Sequence, residues 1–175
     1  MALKYGFIAV VGAISCNSFA SAPARAGEIF SGVYAHDVKT PLDLAGIEPG
    51  VDIQLGYRGS SLFQTRLQPY AFAALNSVGE TSYAAAGLSL RIGRKVYVRP
   101  GVGLAIHNGS DANVDRRDRV AFGSRILFAP ELAFGVQLGN RLSAEFSLVH
   151  FSHAQAFGKQ NPGIDNIGLR LNLKL

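Results

Sequence analysis

The chain has no tryptophan and only one cysteine, Cys16, among its 175 residues. Because Cys16 lies in the first segment, the rest of the chain can form no internal disulfide and offers no thiol for catalysis. Residues 27–175 also lack an apolar run of about 20 residues, which excludes a transmembrane helix. They contain no lysine- and arginine-rich run of the kind that binds nucleic acid, so no nucleic-acid partner is expected.

The first 26 residues are typical of a secretory signal peptide. Lys4 precedes an apolar core at residues 6–14 that is too short to span a bilayer. Ala24-Arg25-Ala26 forms a small-x-small cleavage site, and Ala20-Ser21-Ala22 is a competing one. Acylation of Cys16 as in a lipoprotein is the less favoured alternative, because the preceding "AIS" lacks the usual leucine three residues before the cysteine.

Residues 27–175 contain short segments in which apolar residues occupy every second position. In the segment 167–175, five aliphatic residues alternate with glycine, arginine, asparagine and lysine. This period is that of a β-strand, and an aliphatic face opposite a polar face is typical of a transmembrane barrel. Eight such strands are predicted, at residues 28–36, 51–58, 67–75, 82–90, 96–107, 126–138, 141–152 and 167–175.

The fold class predicted is therefore all-β: an eight-stranded antiparallel transmembrane β-barrel of the outer-membrane type. Closed barrels and helices alone satisfy all backbone polar groups inside a bilayer. We expect cleavage of the signal peptide 1–26 to leave residues 27–175 as a single domain, and the loss of two basic residues to lower the net charge from +5 to +3. Pro100 and Pro130 lie inside two strands and predict local breaks in pairing, because proline has no N–H to donate.

Three polar residues occupy lipid-facing positions where strands seven and eight approach each other, in the stretch "LVHFSHAQAFGKQNPGID". Counting by twos along strand seven places His150 and Ser152 on the aliphatic side, while Val149 and Phe151 point inward. Counting backward along strand eight places Asp165 on the aliphatic side as well. We therefore expect His150, Ser152 and Asp165 to converge on the outer surface of the barrel.

Polar groups facing lipid cost up to about 2–4 kcal/mol near the midplane and less near the interface, so such a cluster indicates a function. A serine becomes a nucleophile when a base takes its proton and an acid orients the base. The cluster therefore predicts a serine hydrolase whose substrate lies in the membrane. Two alternatives stay open: the strand leaves the membrane here, or the chain is a non-enzymatic barrel with a structural or adhesive role.

The residues "HFSHAQ" and "NPGID" resemble the His-x-Ser motif and downstream acid of the PagL-type lipid A 3-O-deacylases, which are eight-stranded outer-membrane barrels. The resemblance implies that Ser152 is the nucleophile, His150 the general base and Asp165 the orienting acid. The reaction implied is hydrolysis of the ester-linked acyl chain at position 3 of lipid A, in lipopolysaccharide of the outer leaflet. The family usually has asparagine and glutamate where this chain has His153 and Asp165. Asp165 is preferred over Glu145, which has inward parity.

Further parts of the site follow as weaker expectations. Backbone amides at His153 and at Ala154 or Gln155 are expected to form the oxyanion hole. Contacts to lipid A phosphates are expected from basic residues in two loops, namely Arg116, Arg117, Arg119 and Lys159. No cofactor or metal is expected, because His150 and His153 are three apart and point to opposite faces of a strand. A homodimer is left open.

Overall fold

The computed structural model describes residues 26–41, 48–111, 120–153 and 163–175. These residues form antiparallel β-strands and one short 3₁₀ turn, Leu62–Gln64. Among these residues there is no helix that is long and apolar enough to cross a membrane. The strands are β1 (Glu28–Ala35), β2 (Val51–Arg58), β3 (Leu67–Asn76), β4 (Tyr83–Leu90), β5 (Ile92–Gly93), β6 (Val96–His107), β7 (Ile126–Phe128), β8 (Glu131–Gln137), β9 (Leu142–Phe151) and β10 (Ile164–Lys174).

The strands close into an eight-stranded barrel. β4 and β5 pair with β6 in one continuous register and together form one strand of the barrel. β7 and β8 also pair with β6 in one continuous register and together form another strand. Every strand pairs antiparallel with its neighbours, and β1 pairs with β10 to complete the ring. Because a closed ring leaves no sheet edge, every strand has a pairing partner on both sides. The predicted fold class is confirmed.

The two prolines coincide with the interruptions of the ladder. The predicted strand 126–138 is broken at Pro130, whose carbonyl accepts a hydrogen bond from the His150 N–H at 3.0 Å but which has no N–H to return. The β4–β5 strand is interrupted at Arg91, beside the position of Pro100 on β6. The register continues through both breaks, so neither shifts the inward and outward faces.

The two faces of the barrel differ as the alternation predicts. Outward positions carry exposed aliphatic and aromatic residues, with Leu169 at 67% and Phe146 at 50% exposure. Among the buried inward residues are three arginines and three glutamates that form ion pairs with one another, namely Arg58, Arg99, Arg170, Glu28, Glu131 and Glu145. Glu145 lies 2.8 Å from Arg170 Nε and 2.9 Å from Arg99 Nε. Because buried charges must be paired, this network compensates the charges in the barrel interior.

Aromatic side chains fill the interior beside this charged network. Their space comes from glycines on neighbouring strands: a Cβ at Gly168 would overlap the Tyr34 ring, and one at Gly135 the Tyr97 ring. Glycine at these inward positions therefore permits large side chains in a narrow barrel. The buried aromatic residues are Phe30, Tyr34, Tyr70, Phe72, Tyr83, Tyr97, Phe122 and Phe151.

The connections differ at the two ends of the barrel. One end, the loop end, carries the connections at residues 36–50, 77–82, 108–125 and 152–163. The opposite end, the turn end, carries the connections at residues 59–66, 94–95 and 138–141 and both ends of the barrel sheet. The three longest connections, 36–50, 108–125 and 152–163, all lie at the loop end. In outer-membrane barrels the long connections are extracellular and the short ones periplasmic, so we assign the two ends accordingly.

Candidate active site

His150, Ser152 and Asp165 come together at the loop end, where β9 finishes and β10 begins. His150 and Asp165 are directly paired across the two strands. The His150 Nδ1–H donates to Asp165 Oδ1 at 2.7 Å, and His150 Nε2 lies 3.0 Å from Ser152 Oγ, where it can accept the hydroxyl proton. The three side chains that parity predicts to converge do form one hydrogen-bonded chain.

The inward residues of this segment also lie where the alternation predicts. Val149 and Phe151 are each 1% exposed and pack inside the barrel, and the Phe151 ring lies 4.3 Å from the Tyr83 ring. The backbone of Ser152 exchanges two hydrogen bonds with Phe128 on β7, at 2.8 and 3.2 Å. The serine is therefore held by a sheet contact on one side and an aromatic core behind it.

Asp165 differs from the expectation in its exposure. Its position has outward parity, yet the side chain is fully buried, while the His150 side chain keeps 19% of its surface exposed. The cover is the segment that follows β1: the Val38 N–H donates to the Asp165 carbonyl at 2.7 Å, and the Thr40 hydroxyl donates to Asp165 Oδ2. Asp165 thus faces a protein layer and not lipid, with both carboxylate oxygens hydrogen-bonded.

The covering segment is turned into place at Asp37. This residue has a φ of 47°, in the left-handed region that aspartate tolerates better than most residues. Its N–H donates to the Asn166 side-chain carbonyl at 2.8 Å, and its carboxylate accepts the Glu48 N–H at 2.7 Å. The turn is therefore bound both to β10, next to Asp165, and to the chain that enters β2.

A charged cluster inside the barrel anchors the same segment. His36 donates to Asp52 Oδ2 at 2.9 Å and to Glu48 Oε2 at 3.2 Å. Burial of the imidazole lowers its pKa, but the hydrogen bonds and charges of Asp52 and Glu48 outweigh that effect and raise the pKa of His36 to about 9. Burial likewise opposes ionisation of Glu48, yet hydrogen bonds from His36, Thr81 and Val120 lower the pKa of its carboxyl.

Asn166 connects this interior cluster to the candidate site. Its side-chain amide donates to Asp52 Oδ2 at 3.0 Å and to the Tyr83 hydroxyl at 2.8 Å. The residue is fully buried and directly follows Asp165. The start of β10 is therefore fixed from inside by Asn166 and from outside by the Val38–Thr40 segment.

Gly163 approaches the site closely. A Cβ at this position would lie 2.6 Å from the Phe151 carbonyl oxygen and 3.0 Å from His150 Cε1. Backbone atoms cannot move aside as a flexible side chain can, so only glycine fits without displacing β9 or the imidazole. Thr40 lies in no motif that marks it in the sequence, and Gly163 lies in the stretch "NPGID", where only the aspartate was assigned a role.

The other predicted site residues are only partly covered by the structure. His153 is buried directly after Ser152. Six further residues lie outside the described ranges, namely Ala154, Gln155, Arg116, Arg117, Arg119 and Lys159. Within the described ranges no group of three or more histidine, cysteine or acidic side chains has the arrangement of a metal site.

A sequence model of the PagL family, described as lipid A 3-O-deacylase, matches residues 47–174. The chain belongs to this family. The match spans most of the barrel and includes the strands that carry His150, Ser152 and Asp165. None of the curated proteins compared with the chain matches it.

Solved structures with a similar fold include an outer-membrane enzyme, a surface protein and an N-terminal β-barrel domain. The crystal structure of the outer membrane enzyme PagL has a TM-score of 0.57 at 18% sequence identity, covering 85% of this chain and 99% of that one. Neisserial surface protein A also has 0.57, at 11% identity, with 87% and 99% covered. The N-terminal β-barrel domain of Pseudomonas aeruginosa OprF has 0.52 at 12% identity, with 86% and 99% covered.

The fold and the family indicate that this lipid A deacylase family member is an outer-membrane protein. The fold by itself does not select an activity, because one barrel architecture carries both an enzyme and a surface protein. Function must therefore be argued from the residues at the end of β9 and the start of β10.

Proposed function

We propose that this protein is an outer-membrane serine esterase that removes the ester-linked acyl chain at position 3 of lipid A. In this proposal Ser152 is the nucleophile, His150 the general base and Asp165 the acid that orients the base. The observation that carries it is the hydrogen-bonded chain from Ser152 Oγ through the His150 ring to Asp165, on the outside of the barrel. A barrel with a purely structural role has no use for this chain on its outer face.

The geometry supports a two-step acyl transfer. His150 Nε2 takes the Ser152 proton as Oγ attacks the ester carbonyl, and then returns that proton to the departing 3-oxygen of the sugar. Water next attacks the acyl-serine with His150 again acting as base, which releases a fatty acid and restores the serine. Asp165 keeps Nδ1 protonated and stabilises the imidazolium in both steps. Atoms and charge balance without any cofactor.

The surroundings of Ser152 suit a lipid ester. Phe128, opposite Ser152 on β7, is 38% exposed on the lipid-facing surface. Further down the same face, outward residues of β8, β9 and β10 form an apolar groove that includes Phe134, Ala144, Phe146 and Leu169. An acyl chain beside Ser152 would lie along this apolar surface, while the sugar stays at the level of the loops.

Thr40 is the positioning residue that we add to this mechanism. Its hydroxyl donates to the Asp165 oxygen that His150 does not use. Aspartate is one methylene shorter than the glutamate usual in the family, so its carboxylate has less reach. A donor on the far oxygen would hold that carboxylate facing His150 Nδ1.

Several finer assignments belong to the same proposal. The oxyanion would be stabilised by backbone amides at His153 and at Ala154 or Gln155. Arg116, Arg117, Arg119 and Lys159 would contact lipid A phosphates. Removal of the signal peptide after Ala26 would release the mature chain for insertion into the outer membrane. Whether it acts as a monomer or a homodimer does not alter these roles.

The test is mass spectrometry of lipid A from cells that express the wild-type chain or Ser152→Ala. Heat-modifiable gel mobility verifies that each barrel is folded. We expect the wild type to remove one ester-linked hydroxyacyl chain and Ser152→Ala to leave lipid A intact.

The matched control is Ser147→Ala on the same strand, where Ser147 points inward and bonds the Tyr34 hydroxyl at 2.6 Å. It should retain deacylation. Unchanged lipid A with a folded wild-type barrel, or an active Ser152→Ala variant, would overturn the esterase proposal. The first result would favour a non-enzymatic structural or adhesive barrel.

A further inference from the structure

The connections at the turn end of the barrel are basic. Residues 59–66, 91–95 and 138–141, together with Lys174, contain six basic residues and no acidic one. The four connections at the loop end contain six basic and seven acidic residues. Closing a barrel does not require this asymmetry, so it indicates an anionic partner on the periplasmic side. The six basic residues are Arg66, Arg91, Arg94, Lys95, Arg141 and Lys174.

These cations lack carboxylate partners within the described part of the chain. All but Arg91 are exposed, and the ion pairs among described residues involve other side chains. Four of them, Arg91, Arg94, Arg141 and Lys174, line a cleft in the mouth of the barrel. The acidic side chain in this cleft, Glu28, is already bonded to Arg58 and Arg99.

Arg91 is the clearest example of a cation without a carboxylate partner in the described part of the chain. The residue is 6% exposed, and its guanidinium carbon lies 3.5 Å from the centroid of the Tyr97 ring. It donates to the Arg94 carbonyl at 2.9 Å and to Gln137 Oε1 at 2.8 Å, both neutral acceptors. Its Nε has no hydrogen-bond partner among the described residues. A buried cation is costly without an anion, and this one is held at the inner wall of the cleft.

The basic rim lies where the lipid-facing apolar band ends. Outward residues beside it are exposed, with Ile92 at 44%, Val96 at 73%, Leu138 at 58% and Leu173 at 49%. These side chains mark the edge of the hydrocarbon layer, and phospholipid phosphates lie just beyond that edge. Basic side chains at this depth reach toward the headgroups.

We propose that the turn-end rim is a binding surface for anionic phospholipid headgroups of the periplasmic leaflet, with one headgroup phosphate in the cleft between Arg91, Arg94, Arg141 and Lys174. Each basic residue near an anionic lipid surface raises affinity about fivefold. The rim would thereby fix the depth of the barrel in the bilayer. This proposal does not depend on the esterase assignment, and Ser152→Ala should leave lipid binding unchanged.

The test uses the mature chain refolded in vesicles of phosphatidylcholine with or without one-quarter phosphatidylglycerol, followed by native mass spectrometry of the lipids retained after detergent extraction. We expect the wild type to enrich phosphatidylglycerol about tenfold or more over phosphatidylcholine. A variant that combines R94Q, K95Q, R141Q and K174Q should lose this preference. Its thermal midpoint should no longer depend on phosphatidylglycerol.

The matched control R125Q removes one exposed basic residue at the opposite end and should keep the enrichment, whereas R94Q should lower it about fivefold. Equal enrichment in R125Q and R94Q would overturn the proposal, and so would a wild type that shows no preference. Displacement of phosphatidylglycerol by an equal concentration of inorganic phosphate would assign the cleft to free phosphate instead. If the wild type shows no preference for phosphatidylglycerol but sediments with purified peptidoglycan, peptidoglycan would be the anionic partner instead.

Discussion

Replacing Thr40 with valine removes the hydroxyl that holds the outer oxygen of Asp165 and keeps the shape of the side chain. Asp165 is fully buried, so that oxygen then has no access to water. The loss of a hydrogen bond to a buried charged group costs about 1.5–3 kcal/mol. Since each 1.4 kcal/mol is about a factor of ten, we expect the turnover rate of Thr40→Val to fall about 10- to 100-fold.

The assay is deacylation of purified lipid A in mixed micelles, with the rate followed by released hydroxy fatty acid. Thr40 lies behind Asp165 and not beside the lipid-facing groove, so KM should stay within about twofold while kcat falls. Thr40→Ser restores the donor and should recover most of the rate. Heat-modifiable mobility must show equal folded fractions for all three proteins.

Two outcomes would refute this reasoning. A Thr40→Val variant with wild-type kcat would mean that the covering segment does not position Asp165. A Thr40→Ser variant as impaired as Thr40→Val would mean that the methyl group matters, through packing, and the hydroxyl does not.

Three further predictions concern stability and access. Folding raises the pKa of His36 from 6.5 to about 9, which adds about 3 kcal/mol to the free energy of unfolding below pH 6.5. This contribution is lost as the pH rises through 9. Unfolding in micelles at pH 6 and pH 10 should show the loss, and His36→Gln should abolish this pH dependence. Glu145→Gln leaves two buried arginines poorly compensated and should destabilise the barrel by about 3–5 kcal/mol in urea, against about 1 kcal/mol for Ser143→Ala. Gly163→Ala should slow deacylation about tenfold or more, because the added Cβ would contact Phe151 and His150. Gly139→Ala has open space around its Cβ and should not slow the reaction. Equal rates for the two variants would exclude crowding at Gly163.

The barrel could be predicted from the sequence because its side chains alternate with a fixed period. The outward leucines of the last strand and the inward Phe151 follow from parity alone, and parity needs no knowledge of neighbouring strands. The break at Pro130 follows from the missing N–H. Parity also brings His150 and Ser152 to one face, and the structure pairs His150 with Asp165 across the next strand.

Side-chain contacts across the barrel could not be predicted in the same way. Parity shows that Arg170 and Glu145 both face inward, but only the register between strands makes them neighbours at 2.8 Å. Thr40 is 125 residues away from Asp165 along the chain, in a segment without alternation. Its role depends on the left-handed turn at Asp37, which a single aspartate in a polar stretch does not reveal.

The burial of Asp165 bears on how the proposed triad would function on the outside of a barrel. A carboxylate exposed to lipid would be penalised by desolvation without compensating donors, and its ionised form would be disfavoured. Here the Val38–Thr40 segment replaces lipid with hydrogen-bond donors on the carboxylate side, while His150 keeps a partly exposed edge. The segment is in turn held by His36, Asp52 and Glu48 inside the barrel. The polar interior therefore contributes to the site on the outer surface, because it anchors the cover that keeps the acid out of the lipid.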